Sequence, residues 1–429
     1  MEHTTALRQV CLACIQIFVF AFQLLLSTNA SATNGINLIG FGAESSLMAG
    51  ADTAVARDTS ALNTNPAGLT QIHGRAFDGF GSVLRTFDLA HKDSFGNDVE
   101  ASNKYTFLGG GGYAQSLDSL PCTVGVGLFA QGGAGGVFKD IKTAFGNSDE
   151  LSSLFAIAKV IPGIGCQVND KLSLGASLAI VYAGIDQKFF PNTSSAVAPF
   201  AGYDIEGASA LRTGLKFGAM YQLSPQVKLA ATYTGKTELP LTDGSLTADY
   251  SAQGLGKVKY RDASINGFAL PREIAVGLAV NPTDKWLLSF KLNWINWSDA
   301  INSVTLRATD PVNPAAPAVY GGVTPGNWSN QLVFATGMAY TLDEKTTLYG
   351  GYNYGRNPVP DKNASPLLAA ILEHHVTLGM GRQINQEWKL MGGMEYLASA
   401  KAEYTSPLFG KAEVRNEGLF LHFMLSRRW

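Results

Sequence analysis

Cations inside apolar segments are the side chains with the clearest chemical potential in this sequence. Three occur where apolar residues alternate with small or polar ones: Arg212 and Lys216 in 210-223, and Lys291 in 285-294. If these segments are strands, each cation faces away from the Leu, Phe and Tyr side chains. A cation in a dry cavity would pair with a ligand carboxylate. The alternative is pairing within the protein, with one of four acids: Asp52, Asp58, Glu273 and Glu395.

A second candidate is the segment QKFFPNTSSAVAPFAGYDIEGA (187-208), which is too apolar for a free aqueous loop. Contiguous exposed apolar surface usually marks a binding site. We therefore predict that this segment forms a groove for a hydrophobic small-molecule ligand. Packing against another loop is the alternative, and a groove between two loops would satisfy both. The groove candidates are Phe189, Phe190, Val197, Phe200 and Tyr203.

Motifs for enzymatic chemistry are weak throughout. Gly235-Lys236-Thr237 lacks the upstream glycine of a phosphate-binding loop, and no GxSxG nucleophile motif is present. The histidines lack zinc-ligand spacing. A formal net charge of -2 argues against a nucleic-acid partner. The sequence thus predicts no enzyme activity, cofactor or metal site.

The composition limits the fold class. Hydrophobic residues make up 46% of the 429 residues and charged residues 15%, below the roughly 25% charged share usual for soluble domains. The 47 glycines and nearly neutral mean hydropathy fit an all-β chain. A large soluble β protein and a β-barrel with one face in lipid remain open at this point.

The first 32 residues have the form of an export signal. Arg8 precedes an apolar run from Val10 to Leu26, and Ala30-Ser31-Ala32 has the small-x-small pattern of a signal-peptidase site. We expect cleavage after Ala32, with an uncleaved membrane anchor as the alternative. Of the four cysteines, Cys122 and Cys166 would remain. They could form a disulfide in an oxidising compartment or stay as two buried thiols.

From about residue 76 onward, alternating segments of roughly 10 residues predict repeated membrane-length strands. Six short polar connectors separate them, at 116-121, 167-171, 223-226, 281-285, 342-345 and 385-387. Seven long connectors alternate with the short ones, at 92-103, 132-154, 187-208, 236-268, 298-328, 356-373 and 398-416. Thirteen connections predict fourteen strands, with turns at one end and loops at the other. This arrangement favours a transmembrane antiparallel β-barrel of a Gram-negative outer membrane over a secreted β-sandwich.

Residues 33-74 do not share the strand pattern. Their Ala-rich stretches are weakly helical and are interrupted at Asn65-Pro66. We predict three regions: a signal peptide (1-32), a mostly helical hatch in the lumen (33-74) and the barrel (75-429). Because proline disfavours a helical conformation at the preceding residue, we expect Asn65, Pro66 and Ala67 to end the hatch helix. The segment PLLAAIL (366-372) predicts a short amphipathic helix over the barrel mouth.

The final segment, LFLHFMLSRRW, alternates apolar residues up to Trp429. We expect it to pair with the first strand, because closure removes exposed sheet edges. Trp429 would then lie in the periplasmic aromatic girdle, where Arg427 could reach lipid headgroups. Outer-membrane lipid and lipopolysaccharide are the expected surroundings. A terminal aromatic residue also resembles the signal recognised by barrel-assembly machinery.

The order of these segments resembles the FadL/TodX (OmpP1) family of outer-membrane transporters for hydrophobic compounds. The resemblance is carried by Asn65-Pro66-Ala67 after MAGADTAVARD, by LPREIAVGLAVNPTDKWLLSFKLNWINWSD (270-299), by YGGYNYGRNPVPD (349-361) and by HVTLGMGRQINQEWKL (375-390). Trp429 departs from the more usual terminal Phe. The basic residues that bind carboxylates in the family cannot be placed by motif.

The resemblance implies a monomeric, plugged barrel that transports hydrophobic molecules passively. Ligand would enter along a loop groove and pass to a lumen pocket. It would leave after a hatch change or sideways, where a kink in an early strand opens the wall. We expect long-chain fatty acids as ligands, with neutral aromatic or alkane hydrocarbons as the alternative. A general porin, an adhesin and an outer-membrane lipase are the other functions considered.

Overall fold

The computed structural model describes residues 34–429 and is almost entirely β-structure. In chain order the strands are β1 (Arg75–Thr86), β2 (Ala90–Asp93), β3 (Asp98–Glu100), β4 (Tyr105–Ser116), β5 (Cys122–Lys142), β6 (Ser148–Gln167), β7 (Leu172–Ser195), β8 (Phe200–Ser224), β9 (Val227–Thr234), β10 (Thr237–Glu238), β11 (Leu241–Tyr250), β12 (Gly256–Asn266), β13 (Ala269–Leu270), β14 (Glu273–Thr283), β15 (Trp286–Ile295), β16 (Ser303–Pro311), β17 (Val319–Pro325), β18 (Gln331–Thr341), β19 (Thr346–Gly355), β20 (His374–Gln383), β21 (Trp388–Ser406) and β22 (Gly410–Arg428).

Helical structure in this part of the chain is short. The α-helices are α1 (Gly42–Leu47) and α2 (Trp297–Ala300), and 3-10 turns occur at Thr59–Leu62, Pro66–Gln71, Ser251–Gln253, Asp361–Asn363 and Pro366–Leu368. None of the helices within residues 34–429 has the length and apolar character needed to cross a membrane. The proposed signal peptide lies outside the described residues.

Fourteen strands form a closed antiparallel barrel, which confirms the predicted fold class. Neighbours around the barrel are β1, β4, β5, β6, β7, β8, β9, β14, β15, β18, β19, β20, β21 and β22. β22 then pairs with β1, from Ala76 opposite Arg428 to Thr86 opposite Gly418. The six predicted turns all fall between consecutive barrel strands at one end, so the sequence located the turn end correctly.

The alternating pattern separates an outer from an inner face, as β22 illustrates. Leu421, Phe423 and Leu425 are exposed on its outer face, whereas His422 and Met424 are buried on the inner face. A strand places successive side chains on opposite faces, so this pattern gives the barrel an apolar exterior. Arg427 forms an ion pair with Glu387 (2.9 Å) and lies over the rings of two aromatic residues, Trp388 and Trp429.

The loop end contains more sheet than the sequence indicated. The predicted long loops at 132-154, 187-208 and 398-416 are largely continuations of barrel strands, and β7 and β8 reach 24 and 25 residues. The predicted loops at 236-268 and 298-328 contain five further strands. Four of them, β11, β12, β16 and β17, extend the sheet from β8. The predicted loop boundaries were wrong here because alternation continues beyond the barrel.

Residues 34–74 pack inside the barrel as a hatch. Leu47 and Met48 belong to a buried cluster with wall residues of β19, β21 and β22. Glycines in the wall permit this close approach: a Cβ at Gly379 or Gly393 would lie 2.5 Å from a Leu47 methyl carbon. The expectation of a mostly helical hatch was too simple, because α1 has only six residues and much of the remainder is 3-10 or turn structure.

Asn65 and Pro66 begin a helical turn rather than end one. Pro66 occupies the first position of the 3-10 turn Pro66–Gln71, where its fixed φ is favourable. The Asn65 side chain accepts a hydrogen bond from the backbone N–H of Ala67 (3.1 Å) and donates to the Thr53 carbonyl (2.8 Å). The prediction that this triplet ends a helix was therefore wrong.

Cys122 and Cys166 form a disulfide between β5 and β6. They are directly opposite each other at the turn end of the two strands. The sequence was compatible with either a disulfide or two free thiols, and the structure contains the disulfide.

Candidate functional site

The barrel wall is incomplete between β4 and β5. Their pairing runs from Ser116 opposite Thr123 only as far as Gly110 opposite Phe129. Beyond that point β4 continues beside β1 up to Tyr105, while β5 pairs only with β6. A register shift in β5 between Ala130 and Gly132 marks the separation. Such bulges bend a strand locally and interrupt its pairing, which leaves a gap in the wall towards the loop end.

The hatch side of this gap is occupied by residues 35–38. The backbone N–H of Gly133 donates to the Ile36 carbonyl (3.2 Å), and the N–H of Leu38 donates to the Gln131 carbonyl (3.4 Å). A Cβ added to Gly132, which has a φ of +154°, would lie 2.0 Å from the Ile36 oxygen. Glycine is thus required here, because the N-terminal segment contacts the bulge backbone directly.

An apolar cavity of about 310 Å³ lies behind the gap. This volume is at the lower end of the roughly 300–1,000 Å³ typical of small-molecule sites. The cavity is bounded by residues 35–38, the loop ends of several strands and the segment 366–372. Its polar lining atoms come from uncharged side chains, and no acidic or basic residue among the described residues borders it. Representative lining residues are Leu38, Leu84, Leu89, Leu108, Phe155, Leu372, Leu397 and Phe420.

The cavity extends to the outer surface of the barrel. Leu154 and Ala156 belong to the exposed set of β6 residues, and the Leu154 side chain is 52% exposed. Both nevertheless border the cavity. Phe155, which points inward between them, stacks on Phe268 with ring centroids 5.1 Å apart. An apolar molecule in the cavity would therefore lie next to the gap and to the outside of the wall.

Residues 356–373, here called the cap loop, cover the cavity from the loop end. Pro366, Ala369, Ala370 and Leu372 border it, and Asn416 of β22 donates to the Ala369 carbonyl at 2.9 Å. The predicted amphipathic helix at 366-372 is absent. The chain forms a 3-10 turn at Pro366–Leu368 and then continues irregularly. Its apolar side chains still point inward, so the predicted burial holds without the predicted helix.

A second, polar cavity of about 50 Å³ lies deeper in the lumen, beside the hatch. Lys216 and Lys291 both border it, as the alternation predicted. Lys216 donates to the hatch carbonyls of Asn63 (2.6 Å) and Thr64 (3.3 Å). Lys291 forms an ion pair with hatch Asp52 at 2.9 Å. Both ammonium groups thus hold the hatch in this state of the protein, as the alternative interpretation anticipated for Lys291.

Lys159 of β6 is a third cation beside this cavity, and it was not among the cations predicted from the sequence. It is 7% exposed, and among residues 34–429 its ammonium group forms no hydrogen bond or ion pair. Its segment, AIAKVIPG, is apolar on both faces, so alternation alone could not assign the lysine to the lumen. A lone lysine in the middle of a predicted membrane strand was the available signal, because at the lipid midplane it would cost about 2–4 kcal/mol.

Amide side chains connect the bulge, the N-terminal segment and the hatch. Asn63 of the hatch donates to Gln131 at 3.1 Å, and Gln131 donates to Asn37 at 3.4 Å. Glu273 in turn accepts from Asn37 (3.1 Å) and Asn293 (2.9 Å). Contiguous hydrogen bonds therefore connect the bulge to the hatch.

Arg212 lies apart from both cavities. Its side chain is exposed, and its guanidinium donates to the carbonyl of the neighbouring Leu211 at 2.8 Å. β8 pairs with β9 only as far as Lys216, which lies opposite Thr234. Its pairing with β11 begins at Ser209. Arg212 lies on the stretch of β8 between these two partners, where exposure does not follow simple alternation.

The predicted groove residues form an aromatic cluster at the loop end. Phe189 stacks on Tyr203 with centroids 5.8 Å apart, and Phe190 and Phe200 contact the same cluster. Val197 is separate, at a turn where it is 98% exposed. None of the five borders the apolar cavity. Residues of the N-terminal segment and the cap loop line it instead, and their sequences gave little indication of this role.

A buried hydrogen-bonded cluster joins β1, β20, β21 and β22 near the hatch. Glu395 contacts His375 Nδ1 at 2.6 Å and His422 Nε2 at 3.0 Å, and Ser82 contacts His422 Nδ1 at 2.7 Å. One arrangement satisfies these contacts, with both imidazoles donating to the carboxylate and Ser82 donating to His422. Within residues 34–429, neither this cluster nor any other group of three or more His, Cys, Asp or Glu side chains is arranged so that it could hold a metal ion.

The closed barrel, its internal hatch and the apolar cavity beside a wall gap define the class as a plugged outer-membrane-type β-barrel. The family described as outer membrane protein transport protein (OMPP1/FadL/TodX) matches residues 23–417. The chain belongs to this family. This confirms the resemblance inferred from the sequence.

Solved structures from three bacteria are among those of similar fold. The toluene transporter TodX of Pseudomonas putida has a TM-score of 0.77 at 20% identity, covering 92% of this chain and 99% of that one. The toluene transporter TbuX of Ralstonia pickettii has a TM-score of 0.73 at 21% identity, covering 92% and 99%. A FadL homologue of Pseudomonas aeruginosa has a TM-score of 0.69 at 16% identity, covering 94% and 99%. A comparison with curated protein sequences gave no match.

Proposed function

We propose that this protein is a passive outer-membrane channel for neutral hydrophobic molecules of the size of monoaromatic hydrocarbons. The observation that carries the proposal is the apolar cavity of about 310 Å³, whose lining among the described residues has no charged side chain. Burying a carboxylate without a partner is costly, whereas an aromatic hydrocarbon loses only unfavourable contacts with water. The two similar structures described as toluene transporters support the same ligand class.

The proposed route begins at the extracellular loop end. Ligand collects on the aromatic cluster of Phe189, Phe190, Phe200 and Tyr203 and on the exposed Val197. It then passes under the cap loop into the apolar cavity. The gap between β4 and β5 provides a sideways exit, because Leu154 and Ala156 connect the cavity to the lipid-facing surface. The hatch, including Asn65, Pro66 and Ala67, closes the direct route through the lumen.

Uptake by cells tests this function. Cells lacking their own transporters of this family would be given the gene, and uptake of radiolabelled toluene and oleate would be measured at low concentration. We expect toluene uptake to rise several-fold over the empty vector and oleate uptake to change little. Unchanged toluene uptake by a correctly assembled protein would contradict the proposal.

Long-chain fatty acids are the second candidate ligand, favoured by the deeper polar cavity. Lys159 is buried there without a hydrogen-bond acceptor among the described residues, and Lys216 lies beside it. Under this second function the acyl chain occupies the apolar cavity and the carboxylate binds at Lys159 and Lys216, with Lys291 as a further candidate. Arg212, the third cation selected from the sequence, lies too far from both cavities to contribute in this state. Oleate uptake that depends on Lys159 would favour this second function.

We further propose that the protein is a monomer in the outer membrane of a Gram-negative bacterium, surrounded by phospholipid and lipopolysaccharide. The family assignment and the apolar barrel exterior support this location. Insertion by barrel-assembly machinery, with Trp429 as part of the recognised segment, remains a prediction.

A further inference from the structure

Glu373 lies at an unusual place for a carboxyl group. It is the last residue of the cap loop, directly after the cavity-lining Leu372, and it is 1% exposed. One oxygen accepts a hydrogen bond from the backbone N–H of Asn357 (2.5 Å), near the other end of the same loop. The Glu373 carbonyl also accepts from the N–H of Gly355 (3.2 Å). The residue therefore joins the two ends of the cap loop.

The second carboxyl oxygen, Oε2, is buried and has no hydrogen-bond partner. A buried oxygen without a partner costs about 1–3 kcal/mol, and more when it carries charge. A protonated carboxyl needs fewer partners than a carboxylate. Burial accordingly raises the pKa of Glu373 to about 7, although the Asn357 N–H and the charge of Arg356 act in the opposite direction.

The charge of Arg356 acts on Glu373 at a distance, and no ion pair joins these two described residues. Arg356 belongs to the cap loop itself and is exposed. Tyr352 and Tyr354 of β19 and His374 of β20 are the other titratable groups nearby, and Tyr352 shares a hydrogen bond with His374 Nδ1 at 2.6 Å. Of these, His374 is the group that ordinarily titrates near neutral pH.

We propose that Glu373 is a proton-operated clasp, which holds the cap loop closed over the apolar cavity when protonated and loosens it when ionised. The protonated carboxyl is tolerated in its buried position and keeps the two loop ends together. Ionisation favours a conformation in which the carboxylate reaches water, and this requires the loop to move outward. Neutral hydrocarbons do not titrate, so this device would give their entry a pH dependence that the ligand cannot provide.

The direction of the pH dependence follows from the raised pKa of Glu373. In an open, hydrated loop Glu373 would ionise near its ordinary value of about 4.3, whereas in the closed loop it ionises near 7. The contribution of protonation to the closed state is therefore complete below about pH 4.3 and is lost progressively as the pH rises from there to about 7. Between pH 5.5 and pH 8 the closed-to-open ratio should fall on the order of tenfold or more.

Hydrogen–deuterium exchange of residues 357–372 tests the clasp without any ligand. Protection, corrected for intrinsic exchange rates, should fall on the order of tenfold between pH 5.5 and pH 8 in the parent protein. Peptides from barrel strands serve as the internal reference. In Glu373→Gln, which resembles the protonated side chain, protection should stay nearly constant. The control variants Glu344→Gln, in a turn at the opposite end, and His374→Gln should retain the parental pH dependence.

Three results would overturn the proposal. The first is cap-loop protection that does not change with pH in the parent protein. The others are a parental pH dependence of protection in Glu373→Gln, and loss of that pH dependence in His374→Gln. The parental measurement stands even if a variant fails to assemble. Because exchange is measured without ligand, a result that overturns the clasp leaves the proposed function intact. The link to ligand entry rests on that function, and pH-dependent toluene uptake that becomes constant in Glu373→Gln would support it.

Discussion

At the scale of single residues, we expect the uncharged lining of the apolar cavity to select the ligand. Ala134 of β5 borders the cavity just beyond the bulge and is only partly buried. Replacing it with phenylalanine would place a ring where the ligand ring should lie. We expect Ala134→Phe to reduce toluene binding by on the order of tenfold without preventing barrel assembly. Tryptophan fluorescence or calorimetric titration would measure the affinity.

The matched control is Ala252→Phe, because Ala252 is exposed in a turn away from the cavity. It should bind like the parent. Equal binding by Ala134→Phe and Ala252→Phe would show that the ligand occupies another place.

Glu395 is the residue on which we expect assembly to depend most strongly. It is 3% exposed and accepts hydrogen bonds from His375 and His422. Glu395→Ala leaves two buried imidazole N–H groups without an acceptor, which should lower the free energy of unfolding by about 2–5 kcal/mol. Urea unfolding in lipid vesicles would measure this. Glu344→Ala, at an exposed turn, should change it by less than about 0.5 kcal/mol, and a similar small effect of Glu395→Ala would contradict the assigned role.

The sequence predicted individual residues well where one face of a strand was clearly apolar. Lys216 and Lys291 were assigned to the lumen because leucine and aromatic side chains marked the other face. The same pattern failed for Arg212, which is exposed and lies apart from both cavities. Lys159 was missed because its strand is apolar on both sides. The free Glu373 oxygen could not be predicted, because it depends on how two distant parts of the cap loop meet.

At the scale of elements, the bulge in β5 is the feature that shapes the site. Gly132 accommodates the N-terminal segment so closely that a Cβ would lie 2.0 Å from the Ile36 carbonyl oxygen. We expect Gly132→Ala to displace residues 35–38 and to change toluene uptake at least several-fold, with the barrel still assembled. Uptake assays and heat-dependent gel migration would measure both properties.

Gly322→Ala provides the control, since a Cβ there meets no atom within 4 Å and its φ is unremarkable. It should behave as the parent in both assays. If Gly132→Ala also leaves uptake unchanged, the contact between the N-terminal segment and β5 has no part in transport.

Element boundaries were predictable at the turn end but not at the loop end. Short polar turns such as 281-285 are marked by Asn, Asp and Pro, whose backbone preferences are local. By contrast, β7 and β8 continue beyond the barrel with the same alternation, so nothing in the sequence indicates where the membrane-spanning part ends. The segment 366-372 was assigned to a helix from its apolar periodicity, but Pro366 and the packing over the cavity favour a 3-10 turn.

At the scale of the whole molecule, closure of β22 on β1 and a plugged lumen follow from the number and order of the segments. These global features were predictable because each strand carries its own alternating signal. The cavity was not, since residues that are far apart in the sequence line it, from Gly35 to Phe420. We accordingly propose that the assembled barrel, rather than any single residue, selects a neutral hydrophobic molecule.

A matched pair of ligands tests that claim most directly: ethylbenzene and benzoate, which are of similar size and differ mainly in charge. Competition against radiolabelled toluene would be measured on the purified barrel at pH 7. We predict that ethylbenzene displaces toluene at a concentration at least tenfold lower than benzoate does. Displacement by benzoate at an equal or lower concentration, or by neither, would contradict the account.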